Sequence, residues 1–518
     1  MTQNIYCPQQ FDKKILCLGN NSSNTDKRTS DLASQDNTVN YGMISADNFV
    51  PNNPGYYHTS VVDLPVGKII KLAKKFHHII LLDQPIEEWE HPTVLETTYN
   101  MISKLDQLGY PVEYKNNENI KKLDYWSNLV QENKSFCIHP WTLQIEENGQ
   151  VVLCPRSSVK ISDKKLSDIN WYTDPGYKKV RQAMLEGKQL YDHCKVCYDY
   201  EAKGIESYRQ FETKEWASIL CLESVNDLED IKKPYFFDVR LSNKCNLMCR
   251  SCNPDFSNLI EKELKEFKIT HPTVPIRSYK YSNLAHIDID ELTEKTRVYL
   301  TGGEPTVMQE VYDWMQECID KNKTNLDFTL GTNGQRINKK FLNLTKYFTN
   351  LNFSVSLDGF GIINDYWRWG SKFETVIENM HVLKRQGHNI NINCVPGIYN
   401  VTNLHLLLEC LDQEFPDTTI YMQINYFALQ SAYNNPNAKL VLESMDRCKQ
   451  TSVYFSNGKS CKTTIDSLYD YYSNNPTCDL KSLKEFFEYN DKLDQARNVR
   501  LIDYIPELED CRKYLQNI

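Results

Sequence analysis

Three cysteines lie close together near the middle of the chain, at Cys245, Cys249 and Cys252, directly after a strand-like run at residues 235–241. Three thiolates on one loop can bind three irons of a cubane [4Fe–4S] cluster and leave the fourth iron open to a small molecule. A zinc knuckle or buried apolar cysteines are the alternatives. Zinc needs a fourth ligand close by, and none follows within the next few residues, so the spacing favours an iron–sulfur site.

A glycine-rich turn follows a second strand-like run at residues 298–300 and consists of Thr301, Gly302, Gly303, Glu304 and Pro305. Adjacent glycines let the backbone lie close to a ligand. The neighbouring carboxylate can accept hydrogen bonds from an ammonium group. A bound amino acid requires both features, although Gly-Gly-Glu-Pro can also be an ordinary turn.

Strands and helices alternate beyond this turn. The predicted strands are 326–330, 352–356, 390–395 and 419–425, and helical patterns begin at 338 and cover 373–386 and 404–411. This alternation predicts parallel βαβ units, an α/β fold, and six strands in a partial barrel. Functional groups of such barrels gather at the carboxyl ends of the strands, where we expect Cys245, Glu304, Asn333 and Ser356.

The Cys-x3-Cys-x2-Cys spacing and the Gly-Gly-Glu-Pro turn together resemble the radical SAM superfamily. The resemblance implies a partial (β/α)6 TIM-like barrel at residues 233–435 and a [4Fe–4S] cluster on the three cysteines, with S-adenosylmethionine (SAM) on its open iron. It assigns the glycine-rich turn to the amine of SAM and Arg368 to its carboxylate. A surface arginine stacked on Trp367 or Trp369 is the alternative for Arg368. The implied cofactor-binding residues are Gly302, Gly303, Glu304, Pro305, Asn333, Ser356, Asp358 and Arg368.

One position departs from this family. Relatives often carry an aromatic residue before the third cysteine, where it contacts the adenine, but this chain has Ser251. The adenine contact must therefore come from elsewhere.

A second cysteine set lies upstream and comprises Cys137, Cys154, Cys194 and Cys197, with a predicted hairpin at 143–153 that turns at Asn148-Gly149. Four thiolates can ligate a structural zinc or a [4Fe–4S] cluster. The residues around them resemble the twitch module of radical SAM maturases, a shortened SPASM domain, placed here before the barrel. The resemblance implies an auxiliary cluster in a domain of residues 134–232. His139 and His193 are then packed or surface histidines, because four thiolates fill the site.

Composition narrows the class of protein. Net charge is −9 and no dense basic tract occurs, which disfavours nucleic acid as a partner. Of the 17 cysteines, seven belong to the two sets and the other ten show no regular pairing pattern, which indicates reduced thiols and a cytoplasmic protein. The first thirty residues are polar and no run approaches the roughly 18 apolar residues of a membrane span, so no membrane association is expected. The length of 518 residues predicts about three domains.

The ends of the chain are less informative. Residues 1–125 are predicted to form a small α/β domain with strands at 14–19 and 78–82 and helices at 67–76 and 92–108. A hydrolase nucleophile at Ser22 or Ser60, near Asp63, is disfavoured because no Gly-x-Ser-x-Gly motif occurs. We expect this domain to bind or position the substrate. Residues 436–518 are predicted to be mostly helical, with charged faces in solvent and apolar residues closing the open side of the barrel.

These patterns predict a radical SAM enzyme that cleaves SAM reductively and abstracts a hydrogen atom from a peptide or protein. Flavodoxin or ferredoxin would supply the electron. A small molecule such as a sugar or nucleoside derivative is the second candidate substrate. A non-catalytic scaffold that binds zinc at both cysteine sets is the alternative from another class of protein.

Overall fold

The computed structural model describes short strands within the first 117 residues, the helix Glu118–Glu132, and residues 133–516 apart from short gaps. The gaps are 148–149, 158, 165–167, 203–206, 273, 275–282, 417, 423, 425–427, 456–458, 475 and 477. The predicted helices at 67–76 and 92–108, the turn at Asn148-Gly149, and Ser22, Ser60 and Asp63 lie outside the described residues. The chain forms two compact units, one of Met1–Thr142 with Lys179–Lys232 and one of Leu143–Lys178 with Lys233–Ile518.

The first unit contains seven short strands and four helices among its described residues. The strands are β1 (Asn4–Tyr6), β2 (Ile15–Leu18), β3 (Met43–Ile44), β4 (Phe49–Val50), β5 (Tyr56–Thr59), β6 (Ile79–Leu82) and β7 (Val112–Tyr114). They pair as β1-β6-β7, β2-β5 and β3-β4. The helices are Glu118–Glu132, His139–Thr142, Tyr191–Glu201 and Tyr208–Ile219, and a further helix, Pro175–Leu185, contains residues of both units.

A buried arginine holds the helices of the first unit together. The Arg209 guanidinium donates to the carbonyl oxygens of Val130 and Phe136 at 2.9 and 2.8 Å, and to the Glu201 carboxylate at 2.6 Å. The helix that carries it begins with a capping box, in which Ser207 and Gln210 each bond the other's backbone N–H. This unit is therefore organised by polar contacts as well as by apolar packing.

The second unit is built on a nine-stranded sheet. Its strands are β8 (Leu143–Glu147), β9 (Gln150–Val152), β10 (Lys160–Ser162), β11 (Phe236–Arg240), β12 (Arg297–Thr301), β13 (Asp327–Thr332), β14 (Leu351–Ser356), β15 (Asn389–Cys394) and β16 (Thr419–Met422). Their order is β10-β9-β8-β11-β12-β13-β14-β15-β16. All neighbours from β8 through β11 to β16 pair in parallel, and β9 pairs antiparallel with β8 and β10. The α/β class and the six consecutive parallel strands predicted from the sequence are confirmed.

Apolar and polar residues alternate along the parallel strands, so the sheet has one apolar face and one polar face. Apolar residues such as Val298, Leu330 and Val355 belong to one hydrophobic cluster that also includes residues of the connecting helices. The helices that contribute are Gln309–Asp320, Lys339–Thr345, Phe373–Arg385 and Leu404–Glu414, whereas Asn258–Glu266 and Ile362–Trp367 pack in two separate clusters. The other face carries polar residues, which is unusual for parallel strands because most are covered on both faces.

Five helices follow the last strand among the described residues, and this segment is mostly helical, as the sequence predicts. They are Ala438–Cys448, Ser452–Phe455, Lys459–Ser473, Leu480–Arg497 and Leu508–Gln516. Asp479 caps the 480–497 helix by accepting from the backbone N–H of Lys481 and Ser482, and Asn498 ends it in the left-handed conformation. No helix in the described part of the chain is long and apolar enough to cross a membrane.

Two features of this unit differ from the sequence prediction. Residues 134–232, expected as one module, are divided, because β8 pairs with β11 and so places 143–178 with the barrel strands. The charged face of the last helices is not entirely in solvent. The Arg497 side chain is 2% exposed and forms a paired contact with Glu263 at 2.8 and 2.6 Å.

Candidate functional site

The three central cysteines lie on the loop that follows β11, which we call the cysteine loop (residues 242–257). Its backbone is fixed on one side by residues after β14, because the N–H groups of Met248 and Arg250 donate to the carbonyl oxygens of Trp369 and Trp367 at 2.8 and 2.7 Å. The Ser257 hydroxyl caps the next helix by accepting from Ile260 N–H, and it also donates to Leu247 O at 2.8 Å. The loop is thus held at several points along its length.

The cysteine thiols share an environment that opposes their ionisation. Burial raises the pKa of Cys245 to about 12, with a further increase from the neighbouring Cys249. Burial also raises the pKa of Cys249, while the Arg368 guanidinium lowers it. The pKa of Cys252 lies well above its usual value, first because of burial and then because of the other two cysteines. Burial is the largest cause at all three thiols, so metal binding there must release protons.

The glycine-rich turn packs against the cysteine loop. A Cβ at Gly303 would lie 2.2 Å from the carbonyl oxygen of Lys244, so only glycine fits this position. Gly302 has φ +103°, a conformation that other residues rarely adopt. The N–H groups of Gly303 and Glu304 donate to the carbonyl oxygens of Ser242 and Lys244 at 2.5 and 2.8 Å. The sequence suggested that these glycines admit a ligand, and the structure adds that they admit the cysteine loop itself.

Glu304 links the ends of β12 and β13. The carboxylate is buried, and its Oε1 accepts from the Thr306 N–H and hydroxyl and from the Thr332 hydroxyl at 3.2, 2.6 and 2.7 Å. Its Oε2 accepts from the Asn333 N–H at 2.7 Å. Burial raises the pKa of Glu304, while these hydrogen bonds lower it. Because Oε2 accepts only one bond among the described residues, it retains capacity for an additional donor.

Asn333 connects this carboxylate to the cysteine loop. Its backbone N–H bonds Glu304, and its side-chain Nδ2 donates to Asn246 Oδ1 at 2.9 Å. Asn246 directly follows Cys245. Pro305 begins the short 3₁₀ turn Pro305–Val307 beside Glu304. The structure therefore brings the glycine-rich turn, Asn333 and the cysteine loop together, as expected for the carboxyl ends of adjacent parallel strands.

The third part of the site follows β14. Ser356 is the half-buried last residue of that strand, and Asp358 lies two residues further on. The Asp358 carboxylate accepts from Val395 N–H at 2.8 Å and pairs with Arg368 at 2.7 Å. Burial raises the pKa of Asp358, and the charge of Arg368 opposes this effect. Arg368 is thus not a surface residue stacked on a tryptophan. Its buried Nε has no hydrogen-bond partner among the described residues.

The polar face of the parallel sheet lies next to these loops. It carries Asp238, Arg240, Tyr299, Ser354 and Asn393. The Asn393 amide donates to the Ser354 hydroxyl at 2.6 Å, and the pKa of Tyr299 is raised by burial and by the charge of Asp238. These residues belong to no recognisable motif in the sequence, although their alternation with apolar neighbours was a usable signal.

The four upstream cysteines are all buried. Cys137, Cys194 and Cys197 belong to the first unit, and Cys154 belongs to the second. Cys194 and Cys197 lie one turn apart on the helix Tyr191–Glu201 and therefore share a face. Burial, followed by the neighbouring Cys197, raises the pKa of Cys194 to about 12.

Neither of the two histidines beside these cysteines is an exposed residue. His139 is buried, lies 3.3 Å from the Glu212 carboxylate, and packs against the ring of Tyr208. Burial lowers the pKa of His193. The contacts of His139 are those of a packed histidine, and His193 is half-buried.

Comparison with known families identifies part of the chain. Residues 239–407, about a third of the chain, match the model of the Radical SAM superfamily. This part of the chain is a radical SAM domain, so the family resemblance is confirmed for it. Proteins of this superfamily bind a [4Fe–4S] cluster and SAM. No curated protein matches the chain in sequence.

Several solved structures are similar over part of the chain. Native anSMEcpe with bound AdoMet is 16% identical over 47% of this chain and 62% of its own, with a TM-score of 0.32. SuiB of Streptococcus suis, bound to its precursor peptide SuiA, is 14% identical over 71% of this chain and 73% of its own, with a TM-score of 0.29. The chain thus covers less than two thirds of the first of these proteins.

Proposed function

We propose that this chain is a radical SAM enzyme that cleaves SAM reductively at a [4Fe–4S] cluster held by Cys245, Cys249 and Cys252, and that abstracts a hydrogen atom from a peptide or protein. The observation that carries the proposal is the packing of the glycine-rich turn against the cysteine loop, through bonds of Gly303 and Glu304 to Ser242 and Lys244. Two segments that are well separated in the chain thus form one edge of a site inside a radical SAM domain.

The three thiols of the cysteine loop fit a cluster with one open iron. A cubane is bound through separate irons, so three cysteines leave the fourth iron free. Zinc instead needs a fourth ligand close to the other three. The number and spacing of the loop cysteines therefore support the cluster.

Polar groups beside the cysteine loop fit the amino-acid part of SAM. Arg368 Nε is buried without a described partner and can donate to a carboxylate. Glu304 Oε2 can accept from an ammonium group. The two groups lie on segments that follow different strands, so together they would orient the methionine moiety.

Cys245, Cys249 and Cys252 would hold the cluster, which when bound would supply the electron for reductive cleavage of SAM to methionine and a 5′-deoxyadenosyl radical. The chain's own residues must hold SAM and keep water out. Glu304 and Arg368 would hold its charged groups, and the polar sheet face around Tyr299 and Asn393 would bind the substrate. Leu247 and other buried residues of the cysteine loop exclude solvent from the inner side of this loop.

The auxiliary site is part of the same proposal. Cys137, Cys154, Cys194 and Cys197 would hold a second [4Fe–4S] cluster that accepts an electron from the substrate radical or ligates the substrate. Support comes from their resemblance to a twitch module, whose bearers mostly modify peptides or proteins. Flavodoxin or ferredoxin would donate the electron in the cytoplasm, where thiols stay reduced.

Anaerobic reconstitution followed by iron, sulfide and product analysis tests the proposal. The reduced wild-type protein should form 5′-deoxyadenosine from SAM. Replacing the three loop cysteines together by Ala should abolish the product. The control is Cys318→Ala, which changes a buried cysteine of the helix Gln309–Asp320. Product from the triple variant would refute the assignment, and zinc without iron in the wild type would favour the scaffold alternative.

A further inference from the structure

Arg250 lies between two of the cluster ligands, yet its side chain is completely buried. Its Nε donates to Tyr366 O at 3.0 Å, and the guanidinium lies 3.6 Å from the centre of the Tyr366 ring. The remaining nitrogens bond the 480–497 helix, with Nη1 at 3.1 Å from Asn490 Oδ1 and Nη2 at 2.6 Å from Asp494 Oδ1. A cation so deeply buried requires partners of this kind.

The partners of Arg250 are themselves fixed. Asp494 also accepts from the Tyr366 hydroxyl at 2.8 Å and from Leu501 N–H at 2.6 Å. Asn490 also accepts from the Tyr399 hydroxyl at 2.8 Å and donates to Phe486 O at 2.9 Å. Each of these bonds joins buried atoms, so the network has one geometry rather than several.

A second contact joins the same helix to the helix after the cysteine loop. Arg497 forms its paired contact with Glu263 of the helix Asn258–Glu266. Tyr489 and Leu493 pack with Ile260 and Leu264 in one hydrophobic cluster, which the partly buried Cys252 also contacts. The 480–497 helix therefore contacts the cysteine loop and the element that follows it.

We infer that the 480–497 helix is a positioning element for the cluster, and that Asp494 and Asn490 act through Arg250 as positioning residues for Cys249 and Cys252. This helix lies outside residues 239–407, which match the radical SAM model. The inference rests on the proposed function, since it assumes that the loop cysteines hold the cluster. Residues that orient metal ligands affect metal affinity or activity about 10–100-fold when they are changed.

The test compares two Asp→Asn variants of the same helix. Asp494→Asn leaves the buried Arg250 without its counter-charge and should displace the loop. Asp491→Asn removes a paired contact with Arg512, which is partly exposed and does not involve the loop. We expect Asp494→Asn to slow formation of 5′-deoxyadenosine about 10–100-fold and to shift the electron paramagnetic resonance spectrum of the reduced cluster. Asp491→Asn should leave both unchanged.

Hydrogen–deuterium exchange on the protein without its cluster gives a readout independent of activity. The amides of Met248 and Arg250 should exchange faster in Asp494→Asn than in Asp491→Asn. A spectrum, rate and exchange pattern like those of the wild type would overturn the inference. If the wild type itself forms no 5′-deoxyadenosine, the proposed function fails, and faster exchange in Asp494→Asn would still support the positioning contact.

A milder variant covers the case in which Asp494→Asn does not fold. Tyr366→Phe removes one hydrogen bond to Asp494 and keeps the ring beside Arg250. Exchange at Met248 and Arg250 should rise about fivefold, which corresponds to the loss of one typical hydrogen bond. Unchanged exchange and an unchanged cluster spectrum in this variant would equally overturn the inference.

Discussion

Replacing Glu304 by Gln should weaken SAM binding, and the structure indicates by how much and why. The oxygen of the introduced amide would take the place of Oε1, where three donors point at it. The amide nitrogen would then replace Oε2 and face the N–H of Asn333, which is also a donor. The variant loses that bond and the charge that would pair with the SAM ammonium.

The two losses have different consequences. Losing a hydrogen bond to a charged group costs about 1.5–3 kcal/mol of folding free energy. Losing the charged partner of the ammonium costs about the same amount of binding free energy, which is about one to two orders of magnitude in the dissociation constant of SAM. A variant that loses only the first contribution is needed to separate them.

Thr332→Val provides that control. It removes one hydroxyl donor to Glu304 Oε1 and keeps both the shape of the side chain and the charge of the carboxylate. Thermal unfolding of the cluster-free proteins should show similar destabilisation of both variants. Titration calorimetry of the reconstituted proteins with SAM should show strong weakening for Glu304→Gln and less than about threefold weakening for Thr332→Val.

Two results would contradict this reasoning. Equal weakening in the two variants would mean that Glu304 only joins β12 to β13 and does not contact SAM. Unchanged affinity in both, with full iron content, would make the glycine-rich turn an ordinary turn.

Three further predictions concern the loop and the second cysteine set. Gly303→Ala should lower the free energy of unfolding by about 2–6 kcal/mol, because the new methyl group overpacks against Lys244 and strains two hydrogen bonds. The methyl group of Gly387→Ala would meet no atom within 4 Å, so this variant should lose only about 1–2 kcal/mol. Equal melting temperatures of the two variants would contradict this prediction. The affinity of the loop thiols for the cluster should increase as pH rises from 7 to 9, by about tenfold per pH unit for each thiol that loses its proton, because burial raises the thiol pKa values. Competition with a chelator that shows no pH dependence would contradict this prediction. The variant without the three loop cysteines should keep about half of the wild-type iron and sulfide. The double variant Cys194→Ala with Cys197→Ala should keep the other half, and it should still cleave SAM without turning over substrate. Zinc in the first variant would show that the upstream site is structural.

The sequence predicted the strands of the barrel well because each is a short periodic run bounded by turn residues. β11 to β15 begin and end within two residues of the predicted positions. The cysteines and the glycine-rich turn were identifiable because both motifs are local. Their placement at one end of the sheet followed from the rule that parallel strands end at the same edge.

The contacts between distant segments could not be predicted in this way. In the sequence, Arg250 is an ordinary basic residue within a cysteine motif. Its partner Asp494 is 244 positions away. β8 resembled one strand of a local hairpin, and nothing in its composition indicated its pairing with β11. Arg497 was expected in solvent because the charge pattern of a helix does not reveal which charges will be paired and buried.

The distance of 244 residues between Arg250 and Asp494 also sets an order of events during synthesis. The ribosome completes the cysteine loop long before it makes the helix that fixes Arg250, so the loop spends that interval with an unpaired cation and cannot remain buried. Its thiols are accessible during this time. Iron delivered before the 480–497 helix is made would meet an unformed site, and iron delivered afterwards would meet a formed one. Loading of the central cluster should therefore follow the synthesis of this helix.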